Sequence, residues 1–319
     1  MITTPLTPAA IAKSVFAVPP LARNDDLTLN RIENERLARH IEQGGVSTLL
    51  YGGNANLYNI AISEYAELLE MLANIVADDT RVIPSVGPAY GTMMDQAAIL
   101  RETEFPTAMI LPQHFGSTSA GSERGVRDFA EAFGRPVVLY IKAGGLIEIE
   151  QVERMANDGL LAAIKYAVVR DHPADDDYLQ QLTEAVDRRM IISGIGEQPA
   201  IVHLRDFGLG GFTSGCVCVA PRLSANMLSA LRNGNYDHAE TIREIFKPLE
   251  NLRNEISPIR VLHDAVALAG IAKTGPILPL LDNTEEAQRI KIKKAAKELL
   301  AGGSHCAAAA AATTESTTR

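Results

Sequence analysis

The segment LLAAIKYAVVRD, residues 160–171, places a lysine inside an apolar stretch. Leu160 to Ile164 precede Lys165, and Val168 and Val169 follow it. Burying an ammonium without partners is costly, so its pKa falls. A neutral lysine amine can attack a carbonyl carbon and form a Schiff base, which then accepts electrons from the neighbouring carbon. The alternative is a lysine whose stem packs while its ammonium group reaches water.

Schiff-base chemistry also needs a proton carrier, and Tyr140 is the candidate. It ends the apolar run PVVLY, the run that precedes the one carrying Lys165. If the two runs are neighbouring strands, the phenol and the amine lie at equivalent heights and can approach each other. A tyrosine that only packs in the core and has its hydroxyl satisfied is the alternative.

Composition and charge exclude several classes of protein. The chain has 319 residues, 46% of them hydrophobic, and a net charge of -9. This acidic balance argues against a nucleic-acid or anionic-membrane surface. No stretch approaches the ~18 apolar residues of a membrane span, and the N-terminus lacks the pattern of a signal peptide. Three cysteines make no disulfide framework, which fits a cytoplasmic protein.

Short apolar runs alternate with segments of helical periodicity along the chain. The runs have the length of strands buried on both faces, and they span residues 14–19, 46–51, 81–87, 107–112, 136–141, 161–166, 189–194 and 211–219. Alternation of this kind predicts parallel strands with helical crossovers. Eight such units predict an eightfold β/α (TIM) barrel, a fold of the α/β class that typically uses ~250 residues.

An open doubly wound sheet is the competing fold. It would carry a glycine-rich turn after its first strand, whereas VPPLARNDD has proline there. Beyond the last run only helical patterns follow. The sequence therefore predicts a barrel over residues 1–222, a helical cap packed on it over residues 223–301, and a disordered tail over residues 302–319, where the composition is of low complexity.

These segments resemble the dihydrodipicolinate synthase and N-acetylneuraminate lyase family. The resemblance rests on AAIKYA, VVLY, IISGIGEQ, GLGGFTSGCVCVAPR and SPIRVLHDAVALAGI, and it extends over residues 14–300. It implies that Lys165 forms the imine and that Tyr140 relays protons. It also implies a homo-oligomer, either a dimer or a tetramer built as a dimer of dimers, and neither a metal nor an organic cofactor.

The sequence departs from the family pattern where the substrate carboxylate is held. The synthases carry Gly-Thr-Thr-Gly-Glu after the second strand, and this chain has Gly52, Gly53 and Asn54 followed by Ala-Asn. The threonine hydroxyls are missing, but the backbone N–H groups of such a loop can still hold a carboxylate. The arginine that follows the family tyrosine is also missing, and Lys142 is a candidate point charge in its place.

Three further residues are candidate substrate contacts. His114 follows the fourth run and could exchange protons or bind a polyhydroxy substrate. Ser193 and Gly194 end the seventh run and could allow a substrate to approach closely, although tight packing alone also explains the glycine. An exposed histidine without a role is the alternative for His114.

The sequence therefore predicts a Schiff-base-forming lyase that acts on a 2-oxo acid such as pyruvate. Aldol-type condensation, cleavage and dehydration all remain open. The departures fit equally well a dehydratase or aldolase for a 2-oxo-3-deoxy sugar acid, or a deaminase of a hydroxyproline pathway. A barrel that binds a ligand without turnover is an alternative of another class, although binding alone needs neither the lysine nor the tyrosine.

Overall fold

Parallel strands form the centre of the molecule. The structure, a computed structural model, describes the backbone of residues 1–113 and 115–316 and the side chains of these ranges up to residue 303. The strand segments are β1 (Phe16–Ala17), β2 (Thr48–Leu50), β3 (Arg81–Ile83), β4 (Ser85–Val86), β5 (Met109–Ile110), β6 (Val137–Ile141), β7 (Leu161–Tyr166), β8 (Ile191–Ser193) and β9 (Gly211–Ser214). They pair in the order β3-β2-β1-β9-β8-β7-β6-β5-β4, with every pair parallel.

Segments β3 and β4 are two halves of one strand, separated by Pro84. On one side the N–H of Tyr51 donates to the carbonyl of Ile83 at 2.9 Å, and on the other the N–H of Met109 donates to the carbonyl of Pro84 at 2.8 Å. A proline has no N–H to give to a sheet, so the pairing switches sides at this residue. The two ends of the sheet therefore meet in one strand, and the strands form the nearly closed eight-stranded barrel that the sequence predicts.

Helices surround the barrel, one after each strand. They are α2 (Arg31–Gln43), α3 (Ile62–Asn74), α4 (Tyr90–Arg101), α5 (Ser119–Phe133), α6 (Ile149–Asn157), α7 (Asp177–Ala185), α8 (Glu197–Arg205) and α9 (Pro221–Arg232). Helix α9 contacts both α8 and α2, so it completes the ring. The barrel boundary expected at residue 222 falls in the first turn of this helix.

Short helical turns complete the barrel at both ends. Helix α1 (Pro8–Ile11) contacts the 3-10 turn Arg188–Met190 that precedes β8, and therefore lies at the end of the barrel where the strands begin. Two further 3-10 turns, Leu57–Asn59 and Cys216–Cys218, follow β2 and β9 at the opposite end. In barrels of this type the chemistry occurs at that second end, where the strands finish.

Three helices follow the barrel, as expected for a helical extension. They are α10 (Tyr236–Glu255), α11 (Pro258–Leu268) and α12 (Glu286–Ser316). Helix α10 packs against α8, α9 and the turn Cys216–Cys218, so the extension is attached to the barrel mouth. The chain is helical as far as Ser316, whereas the sequence predicts disorder from residue 302. Alanine has the highest helix propensity, and the alanine run continues α12. None of the helices in the described chain is long and apolar enough to cross a bilayer.

Close packing at the start of β9 gives a test of the fold. A Cβ at Gly210 would overlap the backbone oxygen of Arg189, and it would lie 3.1 Å from Ile11 Cγ2. Since a backbone oxygen cannot rotate away, we expect Gly210→Ala to lower the free energy of unfolding by roughly 1–3 kcal/mol or more. Chemical denaturation of both proteins measures this difference.

Gly91→Ala is the matched control for this substitution. Gly91 lies in α4, and nothing comes within 4 Å of the Cβ that it would gain. Its stability should stay unchanged or rise by up to about 1 kcal/mol, because alanine favours the helix. Equal stability of the two variants would contradict the packing described for β9.

Candidate active site at the barrel mouth

Lys165 and Tyr140 lie side by side at the end of the barrel where the strands finish. They are directly opposite each other in the register of β6 and β7. Lys165 is only 5% exposed, and its Nζ lies 4.1 Å from the centre of the Tyr140 ring. The amine therefore faces the ring of the phenol inside the protein and does not extend into solvent.

Burial, together with the positive charges of Lys142 and Arg253, lowers the pKa of Lys165 from 10.5 to about 7, and burial is the largest of these causes. The face of an aromatic ring favours an ammonium by about 0.5–2 kcal/mol, which offsets part of this effect. At about 1.4 kcal/mol per pH unit, the lowering from 10.5 to about 7 is larger than that offset. A substantial fraction of the amine is therefore uncharged at neutral pH.

Tyr140 keeps its proton at the pH where the amine loses its own. Burial raises the pKa of Tyr140, and the neighbouring Tyr58 adds to the increase, while Arg253 opposes it. The Tyr58 hydroxyl is buried and has no hydrogen-bond partner within the described residues. Burial raises the pKa of Tyr58 to about 12. Two neutral phenols, Tyr140 beside the amine and Tyr58 near Tyr140, can therefore donate or pass a proton.

The loop after β2 presents unpaired backbone donors. Within the described chain no acceptor bonds to the N–H of Gly53, Asn54 or Ala55, whereas the carbonyl of Gly53 accepts from the N–H of Asn56 at 2.9 Å. Nδ2 of Asn54 donates to the carbonyl of Val18 at 2.9 Å, which ties the loop to the end of β1. Adjacent free N–H groups of this kind form a concave donor surface that suits a carboxylate.

Gly52, which precedes this loop, has a packing role in the structure. A Cβ at this position would lie 2.6 Å from Cε of Met109 and 2.9 Å from Oγ of Ser85. Any larger residue would displace these two side chains. Gly52 therefore allows the loop to pack on its neighbouring strands, and the free donors come from the residues after it.

The hydroxyl of Ser193 and the glycine at position 194 take different places in the structure. Ser193 is opposite Tyr166 in the register of β7 and β8, one residue out of phase with Lys165. Its hydroxyl therefore points to the surrounding helices, where it lies 2.8 Å from Nδ1 of His203. A Cβ at Gly194 would lie 2.6 Å from Cβ of Ala167 and 3.1 Å from Cγ of Lys165. Gly194 thus makes room for the stem of Lys165, in line with the packing interpretation.

His114 lies outside the described residues, so the structure does not place it. Its neighbour Gln113 lines a cavity of about 750 Å³ between β5, β6, α4 and α5. Tyr140 is part of the wall of this cavity, which is mostly apolar.

The sequence gives no indication of Arg253, which the structure brings to this site. Arg253 belongs to α10 of the helical extension, and it is 9% exposed. Its charge lowers the pKa of Lys165 and also that of Tyr140. Its Nε and NH1 atoms are buried, and neither has a hydrogen-bond partner among the described residues.

Two buried acids hold α10 against the barrel. Glu197, at the start of α8, accepts hydrogen bonds from Ser214 at 2.8 Å and Ser224 at 2.6 Å. Glu250 of α10 accepts from the backbone N–H of Glu197 at 3.0 Å and of Gln198 at 3.1 Å. Burial raises the pKa of both carboxyls, and the charge of Glu197 adds to the increase at Glu250. Each carboxyl thus has its own hydrogen-bond donors, and those of Glu250 join α10 to the start of α8.

The geometry combines the parts that carbonyl chemistry requires. An uncharged amine, a protonated phenol, a set of free N–H donors and a buried guanidinium all lie where the barrel strands finish. No cluster of three histidine, cysteine or acidic side chains that could hold a metal ion occurs among the described residues. The amine and the neighbouring phenol together can carry out nucleophilic addition to a carbonyl and proton transfer.

Known proteins share this architecture. Residues 13–299 match the model of the dihydrodipicolinate synthetase family. The 4-hydroxy-tetrahydrodipicolinate synthase of Dechloromonas aromatica is 28% identical over 287 residues, which cover 86% of this chain and 93% of that protein.

Solved structures of low sequence identity have the same fold. YagE from E. coli K12, a protein of the dihydrodipicolinic acid synthase family solved in complex with pyruvate, matches with a TM-score of 0.77 at 17% identity. The match covers 89% of this chain and 98% of that one. The N-acetylneuraminate lyase of Fusobacterium nucleatum matches with a TM-score of 0.78 at 15% identity, covering 91% and 99%. The family match spans both the barrel and the helices that follow it, and the chain thus belongs to the dihydrodipicolinate synthetase family, whose lyases are of the class I aldolase type.

Proposed function

We propose that the protein is a Schiff-base-forming lyase that acts on a 2-oxo acid such as pyruvate. The observation that carries this proposal is the amine of Lys165, buried against the ring of Tyr140 with its pKa lowered to about 7. Burying an ionisable group lowers the stability of the fold. An apolar residue would fill the same space without that loss, so packing alone does not explain Lys165. The pyruvate complex of YagE supports the substrate class.

The first half of the reaction forms the imine. The lone pair of Lys165 adds to the keto carbon, and the former carbonyl oxygen takes up a proton. Tyr140 passes the protons that convert this oxygen into a leaving water molecule. The N–H groups of Gly53 and Asn54 hold the substrate carboxylate during these steps, as free donors at a loop can do.

The second half uses the iminium as an electron sink. A C3–H or C3–C4 bond breaks, and its electron pair moves to the iminium nitrogen to give an enamine. Tyr140 can take up the released proton or return it, and water then hydrolyses the imine and frees Lys165. The Tyr58 hydroxyl, buried and unpaired beside Tyr140, can extend this relay where the family threonines are missing. Apart from the water that hydrolyses the imine, the reacting groups belong to the chain and the substrate.

We also propose that the protein is a homo-oligomer of the cytoplasm, a dimer or a tetramer. Large apolar side chains are exposed in the loops around the barrel mouth, among them Phe115 at 87% and Val169 at 75%, and Leu280 of the extension is 89% exposed. Each of these side chains would lose apolar surface to water on association, and a second copy of the chain could cover them. Cys216 and Cys218 are free thiols, which suits a reducing compartment.

Reductive trapping tests the proposed chemistry. Incubation with pyruvate and borohydride should add the mass of one reduced pyruvate adduct per chain, and peptide mapping should place it on Lys165. Lys165→Met should give no adduct, because the only proposed nucleophile is lost. Tyr140→Phe should form the adduct more slowly, by roughly 10²- to 10⁴-fold if the phenol is the proton carrier. Absence of an adduct with every 2-oxo acid tried would instead support a barrel that only binds ligand.

The pH dependence of trapping tests the charges around the amine. Because only the uncharged amine attacks, the initial rate should rise with pH through a midpoint near 7. Lys142→Gln removes a positive charge, so the pKa of Lys165 should rise and the midpoint should move up by roughly 0.5–1 pH unit. Lys247→Gln is the control, since Lys247 pairs with Glu244 at 2.9 Å on the surface of α10. Equal midpoints in the two variants would show that Lys142 does not act on the amine.

Protein stability reports on the same amine without substrate. The lowered pKa means that the unfolded chain binds more protons than the folded one between about pH 7 and 10.5. Stability of the natural protein should therefore rise with pH across this window, at up to about 1.4 kcal/mol per pH unit. Lys165→Met should be more stable at pH 7, and its advantage should shrink towards pH 10. Thermal unfolding at several pH values measures this, and an advantage independent of pH would contradict a buried neutral amine.

A further inference from the structure

The cavity of about 750 Å³ between β5, β6, α4 and α5 has no part in the proposed catalytic steps. Its walls are mostly apolar, with Met93 of α4 and Val126 of α5 on the side of the helices. Sites for small molecules have volumes of about 300–1,000 Å³ and walls of this kind. Pyruvate has only three carbon atoms, so the cavity provides room for a substrate with a longer chain.

The cavity extends from the helices to the inner face of the barrel. Ile110 and Leu139 are opposite each other in the register of β5 and β6, and Leu111 and Tyr140 follow them in the chain. Because side chains alternate along a strand, these two pairs point to different faces of the sheet. All four residues line the cavity. The inner pair includes Tyr140, and Nζ of Lys165 lies 4.1 Å from the centre of its ring.

The order of the strands brings a bound substrate next to this inner wall. Strands β5 and β6 lie between β7, which carries Lys165, and the strand formed by β3 and β4 beside β2. A Cβ at Gly52, just before the loop that is proposed to hold the carboxylate, would lie 3.8 Å from Cδ2 of Leu111. On the opposite flank, the buried side chains of Glu250 and Arg253 lie beside the loop after β8. A substrate held at both points therefore borders the cavity on one flank.

Gly125 keeps the cavity wide. It lies in the interior of α5, where glycine destabilises a helix relative to alanine. A Cβ at this position would lie 3.7 Å from Cδ2 of Tyr90 and 3.8 Å from Cε of Met93, which are ordinary van der Waals contacts. Packing therefore tolerates a side chain here, and both neighbours line the cavity. What the glycine preserves is open space, and open space that borders a reactive site points to a ligand.

Polar groups at the rim of the cavity interact with one another. The Tyr90 hydroxyl donates to Asp128 at 3.0 Å, and Nε of Arg124 lies 3.9 Å from the same carboxylate. The Ser117 hydroxyl donates to the carbonyl of Gln113 at 3.3 Å. The apolar walls therefore determine what the cavity binds. They favour an alkyl or aromatic chain, which gains from removal from water.

We propose that this cavity holds an apolar chain of the substrate, so that the enzyme acts on 2-oxo acids whose chain beyond C3 is alkyl or aromatic. This inference rests on the proposed function, in which Lys165 forms the imine and the loop after β2 holds the carboxylate. The chain of the bound acid passes Tyr140 and enters the space between α4 and α5. Charged or hydroxylated chains would lose their hydration against these walls without gaining hydrogen bonds from them.

A series of unbranched 2-oxo acids tests this assignment. The concentration that gives half-maximal borohydride trapping on Lys165 is measured by intact mass for pyruvate, 2-oxobutanoate, 2-oxohexanoate and 2-oxooctanoate. Each methylene group that enters the cavity should lower this concentration by about 3- to 4-fold. Four buried methylene groups should thus favour 2-oxooctanoate over pyruvate by about 10²-fold.

Gly125→Leu places a side chain in the cavity and should remove this preference. The ratio of the pyruvate value to the 2-oxooctanoate value should fall by about 10-fold or more, because several methylene groups lose their place. Taking the ratio within one variant cancels any change in the reactivity of the amine. Gly91→Leu is the control, since Gly91 lies in α4 and nothing comes within 4 Å of the Cβ that it would gain. It should keep the ratio of the natural protein.

Other outcomes overturn the inference. An adduct with pyruvate but no effect of chain length contradicts the apolar chain and leaves the proposed function intact. An equal ratio in Gly125→Leu and in the natural protein places the chain elsewhere. A change of oligomeric state in Gly125→Leu, measured by size-exclusion chromatography, identifies a second copy of the chain as the occupant. Absence of an adduct with every acid contradicts the proposed function and this inference together.

Circular dichroism of Gly125→Leu is compared with that of the natural protein before the ratios are measured. If leucine disrupts the fold, Gly125→Ala takes its place, because the Cβ alone makes only ordinary contacts. The added methyl group takes less space, so the ratio should fall by a smaller factor of about 2- to 4-fold. An unchanged ratio in that variant also overturns the inference.

Discussion

One constraint governs the site: an amine has to stay uncharged at neutral pH inside a protein. Burial of Lys165 supplies the main effect, and the positive charges of Lys142 and Arg253 add to it. The same environment holds the proton on Tyr140. A single desolvated pocket thus separates the protonation states of a base and an acid, and Schiff-base formation needs both states at once.

The barrel supplies the geometry by register. Parallel pairing sets Tyr140 opposite Lys165, and the alternation of side chains directs both residues to the same face of the sheet. The next pair, Tyr166 and Ser193, points to the helices, where Tyr166 donates to Asp176 at 2.5 Å. In β7, Lys165 thus points to the candidate site, and the next residue, Tyr166, points to the helices and packs there. A shift of one residue in this strand would exchange the two roles.

The sequence predicts the barrel and the central pair because both depend on local patterns. Strands buried on both faces read as continuous apolar runs, and a lysine inside such a run is conspicuous. The orientation of Ser193 depends on the register between β7 and β8, which residue order alone does not reveal. Arg253 and Glu250 reach the mouth through contacts between α10 and α8, more than 50 residues apart in the chain. No motif near either residue indicates that contact.

The bond network between Glu197, Glu250 and the start of α8 has a mechanical consequence. The helical extension contributes a charge that acts on the amine, and its position is fixed by hydrogen bonds to the loop after β8. Movement of α10 away from the barrel would carry the guanidinium with it, make the amine more basic and open the mouth to water. The strands alone are therefore not the smallest reactive unit: reactivity is a property of the barrel and its appended helices acting as one body.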